Sequence, residues 1–127
     1  MSSVNEVTLV GNLTRDPELR HTSNKKAVCI IGLATNRNWT DENGERHEEP
    51  EYHRIVAWDK LAETCHQYLR KGRKIYAEGR LQYHTYTGQD GIEKTGVEVV
   101  LEKMEMLDSM PQDVKETLNG TTVQQVQ

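Results

Sequence analysis

Phenylalanine is absent from this 127-residue chain, which carries only two tryptophans and five tyrosines. With so few large rings a core would normally absorb them, so a ring set among charged neighbours needs another explanation. Cysteine is almost as scarce: Cys29 and Cys65 lie 36 positions apart with no CxxC-like spacing. That excludes a disulfide framework and a zinc site of recognised spacing, and two reduced, buried thiols are expected. No stretch approaches the roughly 18 apolar residues of a membrane span, and the start MSSVNEVTLVGN lacks a cationic segment leading into a long apolar run. A soluble, cytoplasmic protein without a membrane partner follows as the expectation. Phosphate loops of the GxGxxG and GxxxxGK[ST] types are missing. Histidines 21, 47, 53, 66 and 84 show no ligand spacing, and His66 beside Cys65 reads as a helix-face residue. Neither catalysis nor a metal nor a cofactor is expected.

What the chain does have is segregated charge. The net charge is −4, which opposes a polyanionic partner. Residues 1–40 nevertheless carry +2 and residues 52–94 carry +3, whereas DENGERHEEPE (41–51) holds −5 and residues 95–127 hold −4. A locally basic surface is therefore compatible with the acidic total.

Alternating apolar residues in VTLVGNL and AVCIIGLAT read as strands, separated by TRDPELRHTSNKK as loop or irregular extended chain. Residues 37–51, dense in charge with Gly44 and Pro50, read as a long mobile loop. The run EYHRIVAW is a third strand ending near Asp59, a residue suited to an N-cap. Leu61, Cys65, Tyr68 and Leu69 then recur at helical spacing, and Gly72 is placed to close that helix. After it, KIYAEGRLQYHTYT and VEVVLEKMEML form the arms of a hairpin around TGQDG. Five strands with one short helix between the third and fourth is the order of an OB-fold, a partly open Greek-key barrel that binds oligonucleotides in many proteins. Residues 1–108 are expected to form this domain, and 109–127 a polar, disordered tail.

Period-two alternation in the third strand places Tyr52, Arg54, Val56 and Trp58 on one face and His53, Ile55 and Ala57 on the other. Ile55 and Ala57 suit a core, which turns Tyr52, Arg54 and Trp58 outward as a stacking platform for unpaired bases. Alternation leaves open the opposite arrangement, with Trp58 and Val56 in the core. Trp39 sits in polar company, NRNWTDENG, where burial has little support.

The segments VTLVGNLTRDPELRHT, EYHRIVAWDKLAETCHQYLRKG, IYAEGRLQ and TGVEVVLEKMEML resemble, in register, the bacterial and organellar single-stranded DNA-binding proteins. The resemblance runs from about Asn5 to Leu107. It implies an all-β OB-fold, a homotetramer, and sequence-tolerant binding of single-stranded DNA during replication, recombination and repair. It implies base stacking on Trp39, Tyr52, Trp58 and Tyr86, and phosphate contacts from Arg15, Arg20, Arg37, Arg54, Lys60 and Lys71. His53 resembles a subunit-interface position. The implied setting is the nucleoid of a cytoplasm or an organellar matrix. Members of that family usually end in a flexible linker and an acidic tip that recruits replication and repair enzymes. This chain ends in TTVQQVQ, which fits a form lacking the tip or a shortened sequence and leaves such recruitment in doubt. The contrasting reading is an OB-fold adaptor or primosome-type protein whose acidic 41–51 segment meets a protein partner.

Overall fold

Cys29, Ile31 and Leu33 on one strand and Ile55 and Ala57 on the next are fully buried at every second position, so one face of each strand is dedicated to a common core. The computed structural model describes residues 2–108. Its elements are β1 (Val7–Leu13), β2 (Glu18–His21), β3 (Ala27–Thr40), β4 (Arg46–Trp58), α1 (Asp59–Tyr68), β5 (Lys74–Thr87) and β6 (Glu93–Met106). β1 runs antiparallel to β5, and β5 to β6. β6 meets β4 in parallel over only two pairs, Ile55↔Val99 and Val56↔Val100. β4 pairs with β3 along its whole length, and β3 returns to β1 at Asn12↔Ala34 and Leu13↔Leu33. Five strands thus close an OB-fold barrel, with β2 added outside β3.

At two places the barrel brings backbones closer together than a side chain allows, one at the β1–β3 seam and one within the β5–β6 ladder. A Cβ on Gly11 would overlap the carbonyl oxygen of Ala34, and one on Gly79 the carbonyl of Val100. Gly79 also sits at the register shift between β5 and β6, where a bulge bends the strand. α1 packs against β3 and β4, burying Ala62, Cys65 and Tyr68. At the base, the buried Arg73 guanidinium pairs through Nε with Asp108 Oδ1 at 3.2 Å. Lys74 N–H donates to the other oxygen of that carboxylate at 3.0 Å.

Four local expectations are corrected. The segment read as loop or irregular extended chain contains a regular strand, β2, because Leu19 is half-buried against the core and Glu18–His21 form a ladder with β3. Residues 37–51 are the arms of a β3–β4 hairpin; only 41–45 turn, since both faces of a projecting two-stranded ribbon can carry charge while the backbone remains paired. Asp59 is the first helical residue, at φ 56°, and the cap position falls to Trp58, which makes no side-chain capping bond. Gly72 does not close the helix. The helix stops at Tyr68 because Leu69 turns extended to enter the core, and Gly72 serves the following turn at φ 87°. Around TGQDG the expected turn forms, with Gly91 at φ 78°. The tail expected over 109–127 lies outside the described residues.

Cys29 and Cys65 are free and buried as expected, and burial pushes their thiols up to about 11 and about 12. At pH 8 both are expected to resist iodoacetamide in the folded chain and to react together on denaturation, as read by mass spectrometry. Replacing Gly79 by valine is expected to cost at least about 1–3 kcal/mol. An unchanged denaturation midpoint would show that the β5–β6 approach tolerates a side chain.

Candidate nucleic-acid interface

The outward face of β4 decides the question that alternation left open. Tyr52 is 73% exposed and Trp58 39%, while Val56, on the same face, is 3% exposed. Val56 lies between Ile30 of β3 and Val100 of β6, and Ile30 is itself 6% exposed. Direct cross-strand partners share a face, so an apolar floor seals the outer side of the sheet, with an exposed ring on either side of it. One row of that face runs Arg20, Val28, Trp58 and another Glu18, Ile30, Val56, Val100, Arg80. Charges are interleaved with the rings, partly neutralised within the face. Arg20 chelates Glu18 through Nε and one terminal nitrogen at 3.0 and 2.8 Å. Arg54 Nε reaches Glu98 Oε2 at 3.4 Å.

Beside Tyr52 the face hollows into a cavity of about 390 Å³ lined by Thr14, Arg15, Ile31, Gly32, Tyr52, His53 and Arg54. Over Gly32 the place of a side chain is taken by its neighbours, since a Cβ there would stand 2.5 Å from Thr14 Oγ1 and 3.7 Å from Arg15 Nε. Arg15 comes from the β1–β2 connection and Arg54 from β4, so two guanidinium groups distant in sequence flank one concavity with a ring at its rim. That is the chemistry for a phosphate next to a stacked base.

Tyr86 lies on the β5–β6 hairpin, 49% exposed, on the same alternation as Arg80, Gln82 and His84. Two residues on this face were missed as candidates. Arg80 is exposed at the end of the Val56 row. His84 stands opposite Gly96, and its ring occupies the space a side chain there would take, 6.0 Å from the Tyr86 ring. The signal for both was the alternation of β5, which already mixed basic and aromatic residues.

Trp39 is placed differently. The β3–β4 ladder continues without a break from Val28↔Trp58 to Thr40↔Arg46, so Trp39 has the parity of Leu33 and not of Ala34, the partner of Tyr52. It projects from the reverse face of the hairpin, half-buried, with the His47 ring stacked on it at 5.0 Å and 19°. The Arg37 guanidinium lies 4.7 Å from its centroid. Tyr52, Trp58 and Tyr86 therefore share one side, and Trp39 with Arg37 occupies the other.

Lys60 is exposed in the first turn of α1, two residues beyond Trp58. Lys71 is exposed at the base, where its N–H donates to Asp16 Oδ1 at 2.8 Å. His53, half-buried, spends Nε2 on Thr35 Oγ1 at 2.9 Å. Asp41, Glu45 and His47 bring one ligand atom each within 4.8 Å. Asp41 is already committed, and its bond to His47 first, then the N–H bonds it accepts from Glu45 and Asn43, hold its carboxyl below the usual carboxylate range.

Comparison with known proteins bears on this geometry. The model of the single-strand binding protein family matches residues 4–107. A single-stranded DNA-binding protein of Neisseria meningitidis serogroup B is 49% identical over 105 residues, covering 83% of this chain and 60% of its own. One from Xanthomonas axonopodis pv. citri is 44% identical, covering 82% and 58%. This chain thus spans about 60% of the length of the curated relatives it matches. Among solved structures, the Plasmodium falciparum SSB complex with ssDNA superposes at a TM-score of 0.78 with 29% identity, over 85% of this chain and 98% of that one. A deletion mutant of the Thermus aquaticus single-stranded DNA-binding protein gives 0.73 with 37% identity, over 83% and 51%.

Proposed function

The chain belongs to the single-strand binding protein family, and from that premise we propose that it binds single-stranded DNA without catalysis, sequestering unpaired strands in replication, recombination and repair. The observation that carries the reading is the outer face of β4, where Tyr52, Arg54 and Trp58 flank a dry floor of Ile30 and Val56. Each base stacked on Tyr52, Trp58 or Tyr86 contributes about 1–3 kcal/mol, and every base offers a flat face, so sequence preference is weak. Arg15 and Arg54 hold the phosphate beside Tyr52, while Arg20, Lys60, Lys71 and Arg80 extend the basic track. A strand that also reaches Trp39 and Arg37 passes around the edge of the β3–β4 hairpin, because those groups lie on its reverse face. The ladder register supports a strand that wraps around this hairpin.

The same reading assembles the chain as a homotetramer. Supporting it, β1 is hydrogen-bonded to β5 on one side and meets β3 only at Asn12 and Leu13, leaving the edge of Val7–Val10 open, with Val10 46% exposed. His53 is proposed to face a neighbouring subunit at the barrel mouth.

Titration with an unstructured oligothymidylate is expected to quench tryptophan fluorescence, and an equal-length duplex to leave it unchanged. The affinity is expected to fall with salt at a log–log slope of about −0.7 per phosphate neutralised. No binding of the single strand would defeat the reading. Glu98 competes with phosphate for Arg54, so Glu98→Gln is expected to bind the oligothymidylate about 2- to 5-fold more tightly with an unchanged melting temperature. A weaker-binding variant would show that Glu98 orients Arg54 and does not compete for it.

A further inference from the structure

Resting on the reading of Trp39 as a base-stacking residue, we propose that His47 and Asp41 are positioning residues that hold its indole in the orientation a base requires. Trp39 sits on a projecting two-stranded ribbon, where a free indole would sample several rotamers. The ladder pairs it directly with His47, whose ring lies nearly parallel to it at 5.0 Å. The imidazole is in turn fixed from the hairpin tip. Asp41 Oδ1 accepts the N–H groups of Asn43 and Glu45, each at 2.9 Å, which locks the carboxylate into the turn. Its free oxygen, Oδ2, lies 2.7 Å from His47 Nε2. A carboxylate only accepts, so Nε2 carries the proton and the ring plane is set by that bond.

The order of control therefore runs from turn to carboxylate to imidazole to indole. The turn depends on Gly44, which adopts φ 79° between Asn43 and Glu45. The groups facing His47 are Asp41 and Trp39, with Glu45 in the same cluster and Arg37 over the indole. His47 acts through Trp39, removing the cost of ordering the indole when a base arrives. The Asp41–His47 pair is only partly buried, at the tip of a projecting hairpin, so its role lies in orientation more than in fold stability.

The test is oligothymidylate affinity in His47→Leu and Asp41→Ala, against His47→Phe, which keeps a flat ring but loses the bond to Asp41, and Asp41→Asn, which keeps an oxygen for the turn N–H groups and turns an amide N–H toward the other tautomer of the imidazole. The first two are expected to bind about 3- to 10-fold more weakly with an unchanged salt slope, Asp41→Asn within about 2-fold of the parent, and His47→Phe between His47→Leu and the parent. Melting temperatures of all four check folding, and His47→Leu leaves the turn bonds of Asp41 intact. In a Trp58→Phe background, where Trp39 is the sole tryptophan, His47→Leu is also expected to lower the anisotropy of the unbound protein. Parent-like affinity in all four variants, or tighter binding by His47→Leu, would overturn the proposal while leaving the functional reading in place. If Trp39→Ala binds as the parent does, the stacking role of Trp39 falls and the proposal falls with it. If the parent does not bind oligothymidylate, the functional reading itself fails.

Discussion

Closing a sheet of five strands through seams of two residue pairs each is the constraint from which the rest of this molecule follows. Where β1 returns to β3 and where β5 bends beside β6, the backbones come together at Gly11 and Gly79, and any Cβ would collide with a carbonyl. These contacts let the strands coil tightly enough for β4 to reach β6 in parallel across only Ile55 and Val56. Once the barrel is closed, each strand has an inside that is spoken for. The core takes Cys29, Ile31, Leu33, Ile55 and Ala57, and α1 packs against β3 and β4.

The outer side is then free for chemistry, but it is not simply a solvated surface. Ile30 and Val56 are almost as dry as the core although they point away from it. Charges held over such a floor are less well solvated than on an open surface, which strengthens contacts between Arg54 and an anion and equally strengthens the hold of Glu98 on Arg54. The interface is thus tuned by acids inside it, Glu18 and Glu98, rather than by the overall charge of −4. On the proposed function, binding exchanges these internal partners for phosphates.

Much of this was legible before any coordinates. Alternation in EYHRIVAW put Ile55 and Ala57 on one face and Tyr52 and Trp58 on the other, leaving open which face was core, and helical spacing located α1 to within a few residues. The turn chemistry of TGQDG identified the last hairpin. Legibility failed where stability comes from backbone pairing rather than side-chain burial. Neither β2 nor the outer halves of β3 and β4 has a strong apolar period, so their charged residues looked like loop. The burial of Val56 depends on neighbours on both sides of β4, which no local pattern reveals. Arg15 and Arg54 lining one cavity, and Arg54 meeting Glu98, are likewise products of topology. Trp39 was noticed for its polar company, but its side of the sheet became apparent only when the segment after it proved to be a ladder.

That unbroken ladder also sets which changes in length the chain can absorb. Between Tyr52 and Trp58, inserting or deleting one residue would exchange the two faces, sending Arg54 and the rings inward and Ile55 and Ala57 outward. The turn at 41–45 has no such rule, since nothing beyond it must hold its parity except the pairing of the two arms. Lineages descended from this sequence are therefore free to lengthen or shorten the hairpin tip, surrendering only the hold on Trp39, while the stretch from Tyr52 to Trp58 can vary in identity but not in residue count.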